Sequence, residues 1–132
     1  RIDSSEMNAF LRSSSWGAMA LFEGMVRDDV QPDQDSVCAI FYEAHESMAH
    51  AEMATLIQEA YSLFPIQAVY FHHLLGVVNV GETSVWLGIS GKHRKEVFEA
   101  QTWILNQFKQ RVPIWKKEIG QQSSKWVVPD AQ

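Results

Sequence analysis

Apolar residues recur at helical spacing over three stretches of the chain, and the longest stretch precedes Pro113. At about 100° per residue, its apolar side chains fall within roughly a third of the helix surface. These side chains are Phe98, Ile104, Leu105, Phe108 and Val112. Proline cannot continue a helix and drives the residue before it toward extended backbone. The pattern therefore predicts an amphipathic helix that ends at about Arg111.

The other two helical stretches predict a short helix, capped by Ser4 or Ser5 and ending near Arg12, and a longer helix over 46–63. The segment 76–82 contains Gly76 and Gly81 and is expected to form a turn. Apolar runs bounded by turn residues predict strands at 16–26, 37–43, 66–75, 83–89, 114–119 and 125–128. This order predicts a single α+β domain over residues 1–132, with helices packed on a mixed, largely antiparallel sheet.

Positive charge is concentrated in one part of the chain. Eight of the eleven Lys and Arg residues lie between Lys92 and Lys125, although the formal net charge is −5. The net charge argues against a general nucleic-acid binder, and the aromatic residues are not interleaved with basic ones as an RNA-binding sheet would require. The local basic character indicates a small anion or an acidic protein surface as the partner.

The single cysteine, Cys38, excludes a disulfide framework and a cysteine-based zinc site, and its apolar neighbours predict a buried thiol. With 46% hydrophobic residues, the chain can build one core without such links. No apolar run approaches about 20 residues and no signal-peptide pattern opens the chain, which predicts a cytoplasmic protein.

Common catalytic motifs do not occur in the chain. It lacks the glycine-rich nucleotide-binding patterns, the HExxH of zinc peptidases and the GxSxG of serine hydrolases. His72 and His73 are adjacent on a predicted strand, so their side chains should point to opposite faces and cannot share a metal ion. We expect structural or surface roles for both, and also for His45 and His50.

The start of the longest helix is unusually basic. Ser90 or Gly91 can cap it, and cationic side chains then occupy the first turn: Lys92, His93, Arg94 and Lys95. A helix N-terminus favours anions, so these cations are best explained by a phosphate bound among them. Arg94 also falls in the middle of the apolar arc, where a guanidinium needs a partner. The alternative is a solvated, basic helix end.

Four segments, FEGMVRD, YEAHESMA, HRKEVFEA and FKQRVPIWKKE, occur in this order over nearly the whole chain. Together they resemble the large, catalytic subunit of molybdopterin synthase, and the last segment, with HR upstream on the same helix, is the most specific. The resemblance implies an α/β-hammerhead-type α+β fold. It also implies a heterotetramer, in which a central homodimer carries a small ubiquitin-like sulfur-carrier subunit at each outer end.

The resemblance further implies a sulfurtransferase of molybdenum cofactor biosynthesis. Two sulfurs would pass from the carrier's C-terminal Gly-Gly thiocarboxylate to cyclic pyranopterin monophosphate, which becomes the dithiolene of molybdopterin. The resemblance also implies that this subunit holds neither a metal nor a cofactor. The implied catalytic residues are Lys109 and Lys116. The implied substrate-binding residues are Arg27, His93 and Arg94, with Phe22 and Glu118 as pocket neighbours and Lys117 as a further positive charge.

The residues themselves suggest how the two lysines could differ. Lys109 lies at the rim of the apolar arc, where a half-desolvated amine among cations could act as a base or nucleophile. Lys116 can share a strand face with Glu118, which would hold it charged as an electrostatic or acid group. A non-catalytic module that binds an anion or a partner's tail in the same pocket is the alternative. Pure binding would tolerate Lys109→Arg, whereas proton transfer would not.

Overall fold

The structure, a computed structural model, describes residues 2–28, 37–120 and 124–127. Within these ranges it contains three helices, α1 (Ser4–Leu11), α2 (Glu46–Leu63) and α3 (Arg94–Arg111). The strands are β1 (Ala18–Met25), β2 (Val37–Ala44), β3 (Ile66–His73), β4 (Gly76–Asn79), β5 (Thr83–Gly91), β6 (Ile114–Gly120) and β7 (Ser124–Trp126).

The strands form two antiparallel sheets. The first sheet has the order β1-β5-β3, and the second has the order β4-β2-β6-β7. Side chains alternate along β5, so Leu87 and Ile89 pack against α2 and α3 while Trp86 packs against α1 on the other face. The predicted α+β class with helices packed on antiparallel strands is confirmed, with two sheets in place of one.

The two sheets meet at a polar contact between β2 and β5. The Tyr42 hydroxyl donates to Ser84 Oγ at 3.2 Å, and Ser84 Oγ donates to the Gly24 carbonyl at 3.3 Å. Ile114, the first residue of β6, packs against the cores of both sheets. The bend that leads from α3 into β6 is therefore held at the junction of the two sheets.

The end of α3 was predicted correctly, but its start was not. The helix ends at Arg111, and the backbone N–H of Val112 closes it on the Phe108 carbonyl at 3.0 Å. At the other end, β5 continues through Gly91, so Ser90 and Gly91 are strand residues and His93 is the N-cap. For α1, the N-cap is Asp3, whose carboxylate accepts from the Ser5 N–H at 3.0 Å, in place of the predicted serines.

The segment predicted as a turn contains the short strand β4. Val78 on this strand is buried and pairs with Ile40 of β2. Gly76 and Gly81 both have a φ of +87°, which glycine adopts without steric cost, so the turn signals mark the two ends of the segment. The glycines were interpreted correctly as chain reversals, and the apolar residues between them were missed.

Two predicted core side chains are exposed. Cys38 is exposed because the β2–β6 register shifts between Val37 and Ala39, and both flanking residues are buried. Phe98 is 57% exposed because the buried side of α3 is centred on Val97, Ala100 and Ile104. Neither exposed side chain contributes to the core.

No helix in the described ranges combines the length and the apolar character needed to cross a membrane.

Candidate active site

The residues predicted for the site fall into two groups at opposite ends of α3. His93 and Arg94 stand at its start, and Lys109 is fifteen residues after Arg94, in its last turn. At a rise of 1.5 Å per residue, this separation is about 22 Å along the helix axis. A single chain therefore does not bring the basic helix start and the two lysines into one pocket.

The lysine end of α3 forms one cluster with β6. Lys116 stands opposite Tyr42 of β2, and Glu118 is two residues further on the same face of β6. We call Lys109, Lys116 and Glu118 the lysine cluster. Their charges act on one another, because the pKa of Lys116 is lowered first by desolvation and then by the positive charge of Lys109, while Glu118 opposes the shift.

The two lysines have environments opposite to those predicted. Lys109, expected to be half desolvated, is exposed. Lys116, expected to be held charged by Glu118, is also exposed by accessible area, yet enough protein surrounds it for desolvation to be the main cause of its lowered pKa. The helix rim leaves Lys109 in solvent, whereas the strand holds Lys116 against the sheet junction.

Two further predicted residues lie toward the same end of α3. Gln101 fixes the middle of the helix to the first sheet by donating to the carbonyls of Ala20 and Leu87 at 3.2 and 3.1 Å. From Ala20, β1 runs on toward the end of α3, through the half-buried Phe22 to the exposed Arg27. Phe22 packs against the core of the first sheet, so it is a wall residue whose position is fixed.

Lys117 was predicted in the same pocket, and the structure places it elsewhere. Successive strand residues point to opposite faces, so Lys117 faces away from Lys116 and Glu118. Its ammonium lies 5.5 Å from the centre of the Trp126 ring. The Trp126 ring in turn meets Phe41 edge-on, at 6.5 Å between centroids. Lys117 therefore belongs to the outer face of the second sheet.

The start of α3 is an open, basic helix end. His93 and Arg94 are exposed, and the N-cap makes no side-chain hydrogen bond to the first turn. Arg94 does not lie among apolar side chains as predicted, because the helix begins at this residue and its buried side begins only at Val97. The first N–H groups of a helix lack partners within it, so the end can accept an anion.

A histidine that sequence reasoning treated as structural lies beside the lysine cluster. The positive charge of Lys116 is one of the causes that lower the pKa of His73. The side chain is 43 residues from Lys116 along the chain. No spacing rule connects two such positions, which lie on strands of different sheets and come together because the His73 ring packs on Tyr42, the cross-strand partner of Lys116.

A cavity of about 490 Å³ lies between α2 and β3, outside the lysine cluster. Its walls are largely apolar, and at one end they include His73, Val112 and Ile114. The cavity thus reaches the bend between α3 and β6, and Lys109 does not line it. Across the ranges 2–28, 37–120 and 124–127, no three His, Cys, Asp or Glu side chains are grouped so as to hold a metal ion.

Comparison with known proteins identifies the family. The model of the MoaE protein family matches residues 1–111. A molybdopterin synthase catalytic subunit from Pyrococcus abyssi is 38% identical over 125 residues, which is 95% of this chain and 83% of the relative. The solved structure of molybdopterin synthase from Staphylococcus aureus has a TM-score of 0.89 at 28% identity, over 96% of this chain and 91% of that one.

A chain from the Helicobacter pylori complex of subunits 1 and 2 of molybdopterin-converting factor has the same fold, with a TM-score of 0.73. It is 23% identical, and the match covers 94% of this chain and 77% of that one. The resemblance found in the four sequence segments is confirmed. The matched family model, the relative and the shared fold show that this chain belongs to the MoaE family, the catalytic subunits of molybdopterin synthase.

Proposed function

We propose that this protein is the sulfurtransferase subunit that converts cyclic pyranopterin monophosphate to molybdopterin, with sulfur from the C-terminal thiocarboxylate of a small carrier protein. Family membership supports the reaction, because the relatives are molybdopterin synthase catalytic subunits. The observation that carries the assignment of the site is the lysine cluster, in which a lysine with a lowered pKa stands beside a second, exposed lysine.

The two lysines suit different parts of a sulfur transfer. A lowered pKa gives Lys116 a larger neutral fraction near neutral pH, and a neutral amine can take up a proton or attack a carbonyl carbon. Lys109 is exposed, so its ammonium can attract the thiocarboxylate anion before any step begins. We therefore assign the proton-transfer or nucleophilic role to Lys116 and the electrostatic role to Lys109, with Arg27, Phe22 and Glu118 around them.

The substrate phosphate is assigned to His93 and Arg94 at the open start of α3. These residues are about 22 Å from Lys109 in the same chain, which is more than a small pterin monophosphate can span. In a symmetric homodimer, the helix start of one protomer can face the lysine cluster of its partner. The proposed heterotetramer, with a carrier at each outer end, would then contain two complete sites. A cytoplasmic location, predicted from the sequence, belongs to the same proposal.

The test is reconstitution of the reaction with purified thiocarboxylated carrier and pyranopterin, with molybdopterin as the measured product. Lys116→Ala and Lys109→Ala should each lower turnover severely while carrier binding is retained. Lys116→Arg should not restore turnover, because a guanidinium stays protonated and cannot accept a proton. Full turnover in Lys116→Arg would show that Lys116 acts through its positive charge and not by proton transfer or nucleophilic attack, whereas a wild-type protein that binds the carrier but forms no molybdopterin would favour the non-catalytic binding module.

Lys117→Ala is the matched control. It removes a lysine from the same strand, one residue away, whose side chain contacts Trp126 on the opposite face. Its turnover should remain at the wild-type level. Wild-type turnover in both Lys109→Ala and Lys116→Ala would refute the assigned site.

A further inference from the structure

His73 lies between the two elements that carry the catalytic lysines. It is the last residue of β3, and its ring meets the Tyr42 ring edge-on at 4.8 Å between centroids. The same imidazole contacts the Phe108 ring at 5.7 Å. Phe108 directly precedes Lys109 on α3, and Tyr42 is the cross-strand partner of Lys116. One ring therefore touches a neighbour of each lysine.

The imidazole packs on the interior side of the bend between α3 and β6. The two elements are joined only by Val112 and Pro113, so the angle of this bend decides how the two lysines face each other. Val112, Ile114 and His73 line the same end of the cavity between α2 and β3. A side chain at this point can therefore fix the angle between α3 and β6.

The ring itself is held in one orientation. His73 Nδ1 lies 2.6 Å from the Leu74 carbonyl oxygen, and a carbonyl can only accept, so Nδ1 is the donor. Desolvation lowers the pKa of His73 to about 4, and the charges of Lys116 and His72 act in the same direction against the bond to Leu74. The imidazole is thus uncharged at neutral pH and adds no third cation beside the two lysines.

Titratable groups reach this ring from each element packed around it. Those of β2, β3, β6 and α3 are Tyr42, His72, Lys116, Glu118 and Lys109. Glu46 and His50 line the same cavity from α2. Lys116 and His72 act on His73 directly, and a positive charge on either one opposes the protonation of His73.

We propose that His73 is a positioning residue for sulfur transfer, whose neutral ring fixes the angle between α3 and β6 and keeps water away from one side of Lys116. The inference rests on the proposed function in so far as the two lysines carry the chemistry. The packing and the hydration of Lys116 can be measured without carrier or substrate. The two parts of the inference can therefore be tested separately.

Two substitutions separate the ring from its hydrogen bond. His73→Asn retains a short side chain able to donate to the Leu74 carbonyl but removes the ring, whereas His73→Phe retains a ring and removes the donor. The rate at which an amine-specific reagent labels Lys116 is followed against pH by peptide mass spectrometry on the full chain. Loss of the ring admits water and raises the pKa of Lys116, so less of the reactive, neutral amine is present at pH 8. The labelling rate at pH 8 should therefore fall severalfold in His73→Asn. In His73→Phe, which retains a ring, it should stay near wild type.

Turnover is measured next with thiocarboxylated carrier and pyranopterin. We expect kcat to fall by about 10-fold or more in His73→Asn, because a small misplacement of a catalytic group has effects of this size, while KM for the carrier is unchanged. His73→Phe should lose less. The matched control is His72→Asn, since the His72 ring packs on Trp86 at 5.6 Å and not on the neighbours of the lysines. It should keep both the labelling curve and kcat.

A folded His73→Asn protein with the wild-type labelling curve would overturn the positioning role, whatever reaction the protein catalyses. If the labelling curve shifts in His73→Asn but the wild-type protein transfers no sulfur, the proposed function is overturned. The effect of His73 on the bend and on Lys116 is then still supported. Should neither variant fold, NMR titration of His73 in the wild-type chain decides. A midpoint near 4 supports the partly buried, neutral ring, and a midpoint at the ordinary value of 6.5 overturns it.

Discussion

A histidine that stays neutral in the folded protein makes stability depend on pH. The pKa of His73 is about 4 in the folded state against an ordinary value of 6.5. Below pH 6.5 the His73 side chain is protonated in the unfolded chain, but in the folded chain it stays neutral until the pH approaches 4. The contribution of neutral His73 to the free energy of unfolding is therefore fully present above pH 6.5. As the pH falls from 6.5 toward 4, the free energy of unfolding decreases by on the order of 3 kcal/mol.

His73→Phe should remove this dependence. Urea unfolding at pH 7 and at pH 5 gives the free energy of unfolding of each protein, and between these pH values the wild type should lose about 2 kcal/mol more than the variant. The pKa of His72 is also lowered by desolvation, but His72 is present in both proteins and its effect cancels. Equal losses in the two proteins would show that His73 titrates normally in the folded state.

Arg94→Ala should weaken substrate binding without changing the fold. The side chain is exposed at the first residue of α3, so its loss leaves the core intact. A charged donor to a phosphate contributes on the order of 1.5–3 kcal/mol, which predicts a Kd for the pyranopterin about 10- to 100-fold higher. Calorimetric titration measures this directly. An unchanged Kd at an unchanged Tm would refute the assignment of the substrate phosphate to the start of α3.

The candidate site residues were proposed from the sequence through the family resemblance, but the sequence did not predict their environments. The segments around Lys109 and Lys116 revealed the family, which the comparisons confirm. Which lysine is desolvated depends on the junction of the two sheets, where Lys116 lies opposite Tyr42. A helical wheel for α3 contains no information about that junction. It also contained no reason to connect His73 with Lys116.

Helices α2 and α3 are joined by one ionic clamp near the end that carries Lys109. Arg111 donates from Nε to Glu52 at 2.9 Å, from Nη2 to Glu59 at 2.7 Å and from Nη1 to Glu59 at 2.9 Å. These hydrogen bonds raise the pKa of Arg111 and lower the pKa of Glu59. The carboxylates thus hold the last turn of α3 against α2.

Arg111→Met should lower Tm by a few degrees and make the end of α3 less protected from hydrogen exchange. The loss should be smaller in 1 M salt, because these side chains are partly exposed and their attraction is screened. In the wild type, the contribution of Glu59 is present above its ordinary pKa of 4.5 and fades as the pH falls below it. Arg12→Met is the control, because it also removes an arginine but breaks only an exposed hydrogen bond to Asn8, far from the contact between α2 and α3. Equal Tm values for Arg111→Met and wild type would show that the clamp does not stabilise the fold.

At the scale of elements, the ends set by proline were predictable and the ends set by tertiary contacts were not. Pro113 ended α3 where expected because its ring acts locally. The start of α3 was predicted too early because pairing with Ala18 and Ile66 extends β5 through Gly91. β4 was missed because a four-residue segment that begins at a glycine forms a strand only when β2 provides the partner.

At the scale of the whole molecule, the length of α3 is the strongest constraint on the active site. Its two ends carry the proposed phosphate site and the lysine cluster, about 22 Å apart along the axis. One small substrate cannot contact both ends of the same helix. A complete site therefore requires that the phosphate site of one protomer meet the lysine cluster of another, as a two-fold axis allows.

Mixing two inactive variants tests this requirement. Arg94→Ala weakens the phosphate site and Lys116→Ala disables the lysine cluster, so with pyranopterin held well below its wild-type Kd each homodimer alone should be nearly inactive. After the protomers are exchanged at equal concentrations, a mixed dimer contains one site with both residues intact and one site lacking both. Statistical pairing then predicts recovery of about a quarter of wild-type turnover. If each chain formed its site alone, every site would lack one residue and the mixture would stay inactive, because no rearrangement of protomers can restore a site built within one chain.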